Sequence, residues 1–379
     1  MPSKENLQLS QQEQQRYLRQ TQLLSFGESG QLKLKQSKVL IIGVGGLGCP
    51  AAQYLTAAGI GEITLVDEDQ VSLSNLQRQI LFSESDIGKN KAQAAKEKLQ
   101  TNNSDIKIIA FPHKLNPHNA HQLIKRSDLV LDCTDNFHSR YLINDICAHY
   151  NKPWVYASVL GFEGQVALIK PEHSCFRCLY PELAETPNCN QAGVLGVVPG
   201  IVGNMQALLA IDYLARINSN GEASKSNKLQ LIQGLNSRSI NLFKSDDCQL
   251  CRGEKTYLDY TSDYQAYEQL IENIPEEQKI SWADFEKFPA ENTVLIDVRS
   301  EEEHLAFNRG GINIPLEELG GNLRIEVGKR HVFYCQSGRR SQLAHIKTLS
   351  LESDSISSDK RVYSITEPLL SPVEKLTSP

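Results

Sequence analysis

The stretch "VLIIGVGGLG", Val39 to Gly48, constrains this chain more than any other. An apolar run feeds a turn carrying Gly43, Gly45, Gly46 and Gly48, and a helix-like segment follows at once. A second apolar run, "EITLV", then ends next to Asp67. Strand, glycine turn, helix, strand and acid form a unit that belongs in a parallel α/β sheet. Its glycines let backbone approach phosphate, the helix start offers unpaired N–H groups, and the acid takes ribose hydroxyls. The turn alone leaves open whether those phosphates belong to NAD or to ATP.

The pattern continues through "IKIIAF", "LVLDCTD" and "PWVYAS", each separated by a helical stretch. This predicts a Rossmann-like, doubly wound and mostly parallel sheet. "GQVALIK", "KLQLIQ" and "SINLF" read as added antiparallel strands, and "VPGIVGNMQALLAIDYLARI" as a buried helix. Near Ile280 a second α/β pattern begins with "NTVLIDVRS" and "HVFYCQSGRRS". The expected division is a nucleotide-binding domain over 1–253, an acidic linker over 254–279 and a small α/β domain over 280–379. A chain of 379 residues, 40% of them hydrophobic, can fill two such cores. A net charge of −6 argues against a nucleic-acid surface. No apolar run approaches the ~20 residues that cross a bilayer, and the polar start lacks a signal-peptide core, so a cytoplasmic protein without a membrane partner is expected. In that reducing setting the nine cysteines read as ligands or catalysts rather than disulfides.

Residues beyond the glycine turn favour ATP. "DEDQVSLSNLQRQ" carries Asp69, Asn75 and Arg78, "IGKNKAQAA" places Lys91 at a helix start, and "LVLDCTDN" brings Asp132 and Asp135 to a strand end. Cations beside a glycine loop suit a triphosphate, and a carboxylate at a strand edge suits Mg2+. Each residue alone reads as a solvated charge or a cap. Together they fall where open α/β sheets bind ligands.

These segments resemble the ubiquitin-activating-enzyme superfamily, and within it the MoeB/ThiF branch of adenylyltransferases that activate ubiquitin-like sulfur carriers. The resemblance runs from about Arg16 to Cys251. It implies that Asp67 binds the ribose, that Asn75, Arg78 and Lys91 contact phosphates, and that Asp135 holds Mg2+. It also implies that Arg19, in "RYLRQ", reaches across a homodimer to the partner's nucleotide. The expected substrate is the C-terminal glycine carboxylate of a small carrier protein. Already ionised, it attacks the α-phosphate of ATP, forms an acyl-adenylate and expels pyrophosphate. Such a reaction asks for positioning and charge neutralisation rather than a base.

"CFRC" (Cys175, Cys178) and "CQLC" (Cys248, Cys251) make a paired C-x2-C set that reads as a structural Zn2+ site. The 69 residues between the pairs are too many for a small zinc ribbon, so the metal would fasten distant parts of one domain. A redox pair is the competing reading, and the resemblance favours zinc. Cys189 matches the position where several relatives place a sulfur-accepting cysteine on a crossover loop. Cys49, Cys133 and Cys147 read as packing residues.

Cys335 follows a short apolar run and opens the loop that holds Gly338, Arg339 and Arg340. Backbone N–H groups and arginines around a thiol lower its pKa. Four residues separate Cys335 from Arg340, too tight for a phosphatase loop and suited to a sulfane sulfur. With "VLIDVRSEEEHLAFNRGGINIPL" upstream, the segment from about Ile280 resembles a rhodanese-type sulfurtransferase domain. It departs from that family at "AFNRGG" and "TEPLL", which puts the last strand and helix in question.

The combined expectation is an ATP-, Mg2+- and Zn2+-dependent adenylyltransferase fused to a sulfurtransferase, converting a carrier's carboxylate to a thiocarboxylate. A carrier of the molybdopterin-synthase small-subunit type is expected, with thiazole synthesis or tRNA thiolation as alternatives. A persulfide donor such as a cysteine desulfurase would load Cys335. The rivals are an NAD-dependent oxidoreductase and a non-catalytic carrier-binding scaffold.

Overall fold

A computed structural model describes residues 8–181, 193–215, 227–260, 271, 273–319, 328–336, 338–351, 361–367 and 369. The chain divides into two compact units, Met1–Thr261 and Ser262–Pro379.

The first unit is built on an eight-stranded sheet in the order β3-β2-β1-β4-β5-β6-β7-β8. β1 (Lys38–Ile42) lies between β2 (Glu62–Val66) and β4 (Leu129–Asp132), parallel to both. β3 (Lys107–Phe111) extends one side and β5 (Trp154–Leu160) the other, again in parallel. The near-continuous apolar runs of β1 and β4 follow from this arrangement, because both faces of a central parallel strand are covered. Val39 and Ile41 enter the core on one face, Leu40 and Ile42 the core on the other. β6 (Glu163–Ile169), β7 (Asn227–Gln233) and β8 (Asn236–Leu242) then continue the sheet, each antiparallel to the strand before it. The expected added strands are therefore present, with the expected direction.

The expected helix spans Val197–Ala215 and packs against the Gly48–Ala58 helix and against β5 and β6. One expectation needs correction. By length and composition this helix could cross a membrane, so an apolar run of that size does exist. Its inner face is spent on the fold instead, with Val202, Ala207 and Ala210 in the sheet-covering core. Gln206, fully buried on that face, donates to the carbonyls of Asp132 (2.7 Å) and Val155 (3.2 Å).

The second unit holds a five-stranded parallel sheet, β11-β10-β12-β13-β9. Its strands are β9 (Lys279–Ile280), β10 (Thr293–Asp297), β11 (Ile312–Asn313), β12 (Arg330–Tyr334) and β13 (Val362–Ile365). The last strand, placed in question by the divergent "TEPLL", forms and pairs with both β12 and β9. Past it, Glu367 accepts from the Trp282 amide and Leu369 exchanges hydrogen bonds with Gln336. At "AFNRGG", the Tyr334 hydroxyl donates to the Gly310 carbonyl and accepts from the Arg309 amide.

On the helix Arg339–Leu351 of this unit, His345 is fully buried and neither ring nitrogen has a hydrogen-bond partner among the described residues. Burial pushes its pKa down to about 4, so the folded state keeps it neutral while the unfolded chain protonates near 6.5. The unfolded state thus binds more protons between those values, and stability falls as pH drops below 6.5 and levels off near 4. The loss should reach roughly 3 kcal/mol at most. The chain has two tryptophans, Trp154 in the first unit and Trp282 in the second. In a Trp154→Phe background, Trp282 fluorescence should show melting that falls with acidification. His345→Leu should flatten that slope.

Candidate active site and metal centre

A cavity of about 1410 Å³ opens at the C-terminal ends of the parallel strands of the first unit. The glycine turn forms one wall. Gly43 has φ +90°, and a Cβ there would lie 2.6 Å from the Cys133 carbonyl oxygen. A Cβ on Gly48 would run into the Gly43 carbonyl. The turn can therefore lie against the end of β4 only with glycine at both positions. Gly45 and Gly46 line the cavity beside them.

Asp67 completes this wall. Its Oδ2 accepts from the Val44 amide (2.7 Å) and its Oδ1 from the Asp69 amide (2.9 Å), so the carboxylate shapes the turn as well as facing the cavity. Burial raises its pKa despite the opposing pull of Lys91. Asn75, Arg78 and Lys91 all line the same cavity. Lys91 is almost wholly buried and ion-paired to Asp69 at 2.8 Å, whereas Arg78 rests its guanidinium on the Ser74 carbonyl at 3.1 Å. Asp135 lines the same cavity and is exposed, with no hydrogen bond or ion pair among the described residues. One unengaged carboxylate in a cavity that also holds cations is a donor set that fits Mg2+ brought in on phosphate oxygens.

Arg19 does not line this cavity. It lies on the short helix Leu18–Thr21, exposed, with a 3.4 Å contact to Gln22. Tyr17 anchors that helix, its hydroxyl accepting from the buried Asn103 amide at 2.8 Å.

The sequence reading missed Arg140, which lines the cavity and is 3% exposed. It sits on the helix Phe137–His149, which Asn136 caps through the Ser139 amide. A cation in the first turns of a helix opposes the helix dipole, and that was the available sign that it needed a partner. The partner is Asp132 at 3.4 Å, an ion pair whose facing atoms fall outside hydrogen-bond geometry. Burial raises the Asp132 carboxyl to about 6 although Arg140 pulls the other way.

The four zinc-type cysteines converge. Sγ separations are 3.7 Å for Cys175–Cys178, 3.6 Å for Cys175–Cys248 and 3.5 Å for Cys178–Cys251, with all four within 4.8 Å. Four thiolates about 2.3 Å from a tetrahedral zinc lie about 3.8 Å apart, so the cluster fits that ion. Buried Asn227 steadies the approach, bonding both Lys170 and Ser174 just before the first pair. Cys49, Cys133 and Cys147 are buried, as packing residues should be, and Cys133 also forms part of the cavity wall. Cys189 lies outside the described residues.

In the second unit Cys335 is 1% exposed and its sulfur accepts the Gly338 amide at 3.2 Å. Gly338 has φ +86°, and a Cβ there would collide with the Thr366 carbonyl. Arg340 is held by Glu303 through two bonds of 2.7 and 2.8 Å. The side chain of Arg339 lies outside the described residues. Behind the loop, Asp297 is bound by Arg299 and by His304, and Arg299 reaches on to the Gln336 amide oxygen at 3.1 Å. Burial works against ionisation, but those hydrogen bonds hold the Asp297 carboxyl below the usual carboxylate range.

Residues 17–252 match the ThiF family model. A protein named adenylyltransferase and sulfurtransferase MOCS3, from Caenorhabditis briggsae, is 36% identical over 375 residues, covering 90% of this chain and 90% of that protein. The sulfur carrier protein ThiS adenylyltransferase of Escherichia coli is 44% identical over 243 residues, covering 63% of this chain and 95% of its own length. Among solved structures, E. coli MccB with ATP superposes with a TM-score of 0.54 at 27% identity, over 62% of this chain and 74% of that one.

The geometry of the cysteine cluster makes a direct prediction. Purified protein should carry about one zinc per chain by elemental analysis. Chelation, or Cys248→Ser, should lower the melting temperature of the first unit. Metal-free protein that melts like the untreated form would remove the assignment.

Proposed function

The chain belongs to the ThiF family, and from that membership we propose that it adenylylates the C-terminal glycine carboxylate of a ubiquitin-like sulfur-carrier protein with ATP and then helps replace that carboxylate with a thiocarboxylate. The observation that carries this reading is the single cavity in which Asp67, Arg78, Lys91 and the unengaged Asp135 meet around the glycine turn. A nicotinamide oxidoreductase would leave Asp135 and the cysteine cluster without a purpose. A scaffold would not need Lys91 and Arg78 at the phosphate end of a cavity.

In this mechanism Asp67 takes the ribose hydroxyls, and the glycine turn with Arg78, Lys91 and Asn75 receives the phosphates. Mg2+ held by Asp135 would supply charge neutralisation at the phosphate oxygens. The carrier's carboxylate attacks the α-phosphorus, the bond to the β-phosphate oxygen breaks, and pyrophosphate leaves with the electron pair. Arg19 acts on the nucleotide of a second copy in a homodimer. Its absence from the cavity wall supports that reading, as do the exposed Leu18, Leu23 and Leu24 around it. Residues 1–253 would carry this half-reaction, 254–279 would link, and 280–379 would supply sulfur from a persulfide on Cys335, loaded by a donor such as a cysteine desulfurase. The persulfide's outer sulfur displaces AMP from the adenylate to give an acyl disulfide, which a second thiol cleaves to the thiocarboxylate and a disulfide. A relative whose name joins both activities and which spans 90% of this chain supports the pairing. The carrier is proposed to be of the molybdopterin-synthase small-subunit type, with thiazole synthesis or tRNA thiolation as the second reading. Cys189 is proposed as an accessory sulfur acceptor.

Carrier-dependent ATP–pyrophosphate exchange tests the first half. Asp135→Asn should lower it by more than a hundredfold in a folded protein. Mixing inactive Arg19→Ala with inactive Asp135→Asn should restore part of it through heterodimers that keep one complete site, and verified subunit mixing without recovery would count against action in trans. Carrier mass tests the second half. With a persulfide donor, Cys335→Ser should leave exchange unchanged while thiocarboxylate, about 16 Da heavier because sulfur replaces oxygen, largely disappears. Wild-type yield from that variant would reduce the second unit to a docking module.

A further inference from the structure

We propose that Arg140 is a positioning residue for metal-dependent nucleotide binding, bracing from within the protein the turn that presents Asp135. The inference rests on the reading of Asp135 as the Mg2+ carboxylate. The turn Cys133–Asn136 joins β4 to the helix Phe137–His149, and the Asp135 side chain on it makes no hydrogen bond or ion pair among the described residues. Its shape is set by its neighbours. Asp132 Oδ1 accepts both the Thr134 amide (3.0 Å) and the Thr134 hydroxyl (2.6 Å), folding the turn back on the strand end. Arg140 closes it from the other side, Nη2 donating to the Thr134 carbonyl (3.0 Å) and to the Ala157 carbonyl of β5 (3.4 Å). Its guanidinium lies 5.3 Å from the Phe137 ring and 5.5 Å from the Tyr156 ring, within cation–π range of both.

A buried arginine is costly unless its hydrogen-bonding capacity is used. Here that capacity is aimed at backbone, at the two carbonyls that fix where the turn stands relative to β5. On the far side Gln206 grips the carbonyls of Asp132 and Val155, so the turn is braced from both the helix and the core. The turn's base also meets the glycine loop, since the Cys133 carbonyl fills the space a Cβ on Gly43 would need. A displacement of this turn would therefore move the metal carboxylate relative to the phosphate seat. A group that merely neutralised Asp132 would not need its two backbone bonds.

The test uses the intact chain, ATP and Mn2+ as a magnetic probe. Mn2+ binding in the presence of ATP is measured by electron paramagnetic resonance, and ATP binding is measured separately in EDTA. Arg140→Met should weaken Mn2+ binding by roughly tenfold, the scale seen when groups supporting a metal ligand are removed. Metal-free ATP binding should stay within about twofold, and Arg140→Lys should fall between. Wild-type Mn2+ affinity in folded Arg140→Met overturns the proposal, and so does an equal loss of metal-free ATP binding. If Arg140→Met does not fold, Arg140→Lys carries the test, because an ammonium on that stem keeps the charge but lacks the planar fork; a selective Mn2+ loss supports the role and an unchanged affinity overturns it. Wild-type protein that binds ATP but no Mn2+ would overturn it outright. Absence of carrier-dependent exchange in a wild type that binds Mn2+ and ATP would sink the adenylyltransferase reading alone.

Discussion

The first unit depends on the closeness of two backbone segments, the glycine turn after β1 and the end of β4. A Cβ at Gly43 would sit 2.6 Å from the Cys133 carbonyl, so the two chains touch with no side chain between them. β1 and β4 are hydrogen-bonded neighbours up to Ile42 and Asp132, and the turn continues that adjacency beyond the last pair. The glycine turn and the strand end that leads to Asp135 are thereby made one wall. Asp67, bonded to the Val44 amide, ties the end of β2 into the same wall. Three consecutive strands of the sheet, β2-β1-β4, thus deliver their ends to a single cavity.

Both units place a fully buried aspartate at the C-terminal end of a parallel strand and match it with an arginine, Asp132 with Arg140 and Asp297 with Arg299. The two carboxyls nevertheless shift in opposite directions. Asp297 receives hydrogen bonds from Arg299 on both oxygens and another from His304, which outweigh its burial. Asp132 receives its short bonds from Thr134 on one oxygen, and its other oxygen faces Arg140 without a hydrogen bond, so burial prevails. In each case the arginine also reaches past the aspartate to the functional turn, Arg140 to the Thr134 carbonyl and Arg299 to Gln336 beside Cys335. A buried charge pair contributes little net stability, and its value here lies in the geometry it imposes.

Much of this was legible in the residue pattern. The parallel strands announced themselves as apolar runs, and the antiparallel ones followed where expected, because a strand's hydrophobic periodicity reports which faces are covered. The paired C-x2-C clips pointed directly to the cluster of four cysteines, since two such pairs can close on one ion. Arg140 was missed because its partner, Asp132, lies across a turn and before a helix, in a position that no local spacing flags. Arg340 was placed near the thiol from its distance along the loop. In space its guanidinium pairs with Glu303, on the Glu301–Ala306 helix, and the Gly338 amide donates to the sulfur. The divergent "TEPLL" also deceived, because its contribution is made by the backbone and one carboxylate, not by the glycines a pattern would look for.

From the sequence alone came the order of strands and helices, the glycine turn, the paired cysteines and the identity of the charged groups that could meet ATP. These are local properties, set by periodicity and by the chemistry of single residues. Tertiary structure decided which charges are free and which are engaged: Asp135 open on the wall, Lys91 paired with Asp69, Arg340 held by Glu303, and Arg19 away from its own cavity. It also decided that the most membrane-like segment, Val197–Ala215, lies against the sheet with Gln206 clamped to two strand ends. The reason is physical. A charged side chain's role depends on what lies within a few ångströms of it, and those neighbours are brought together by sheet order rather than by distance along the chain.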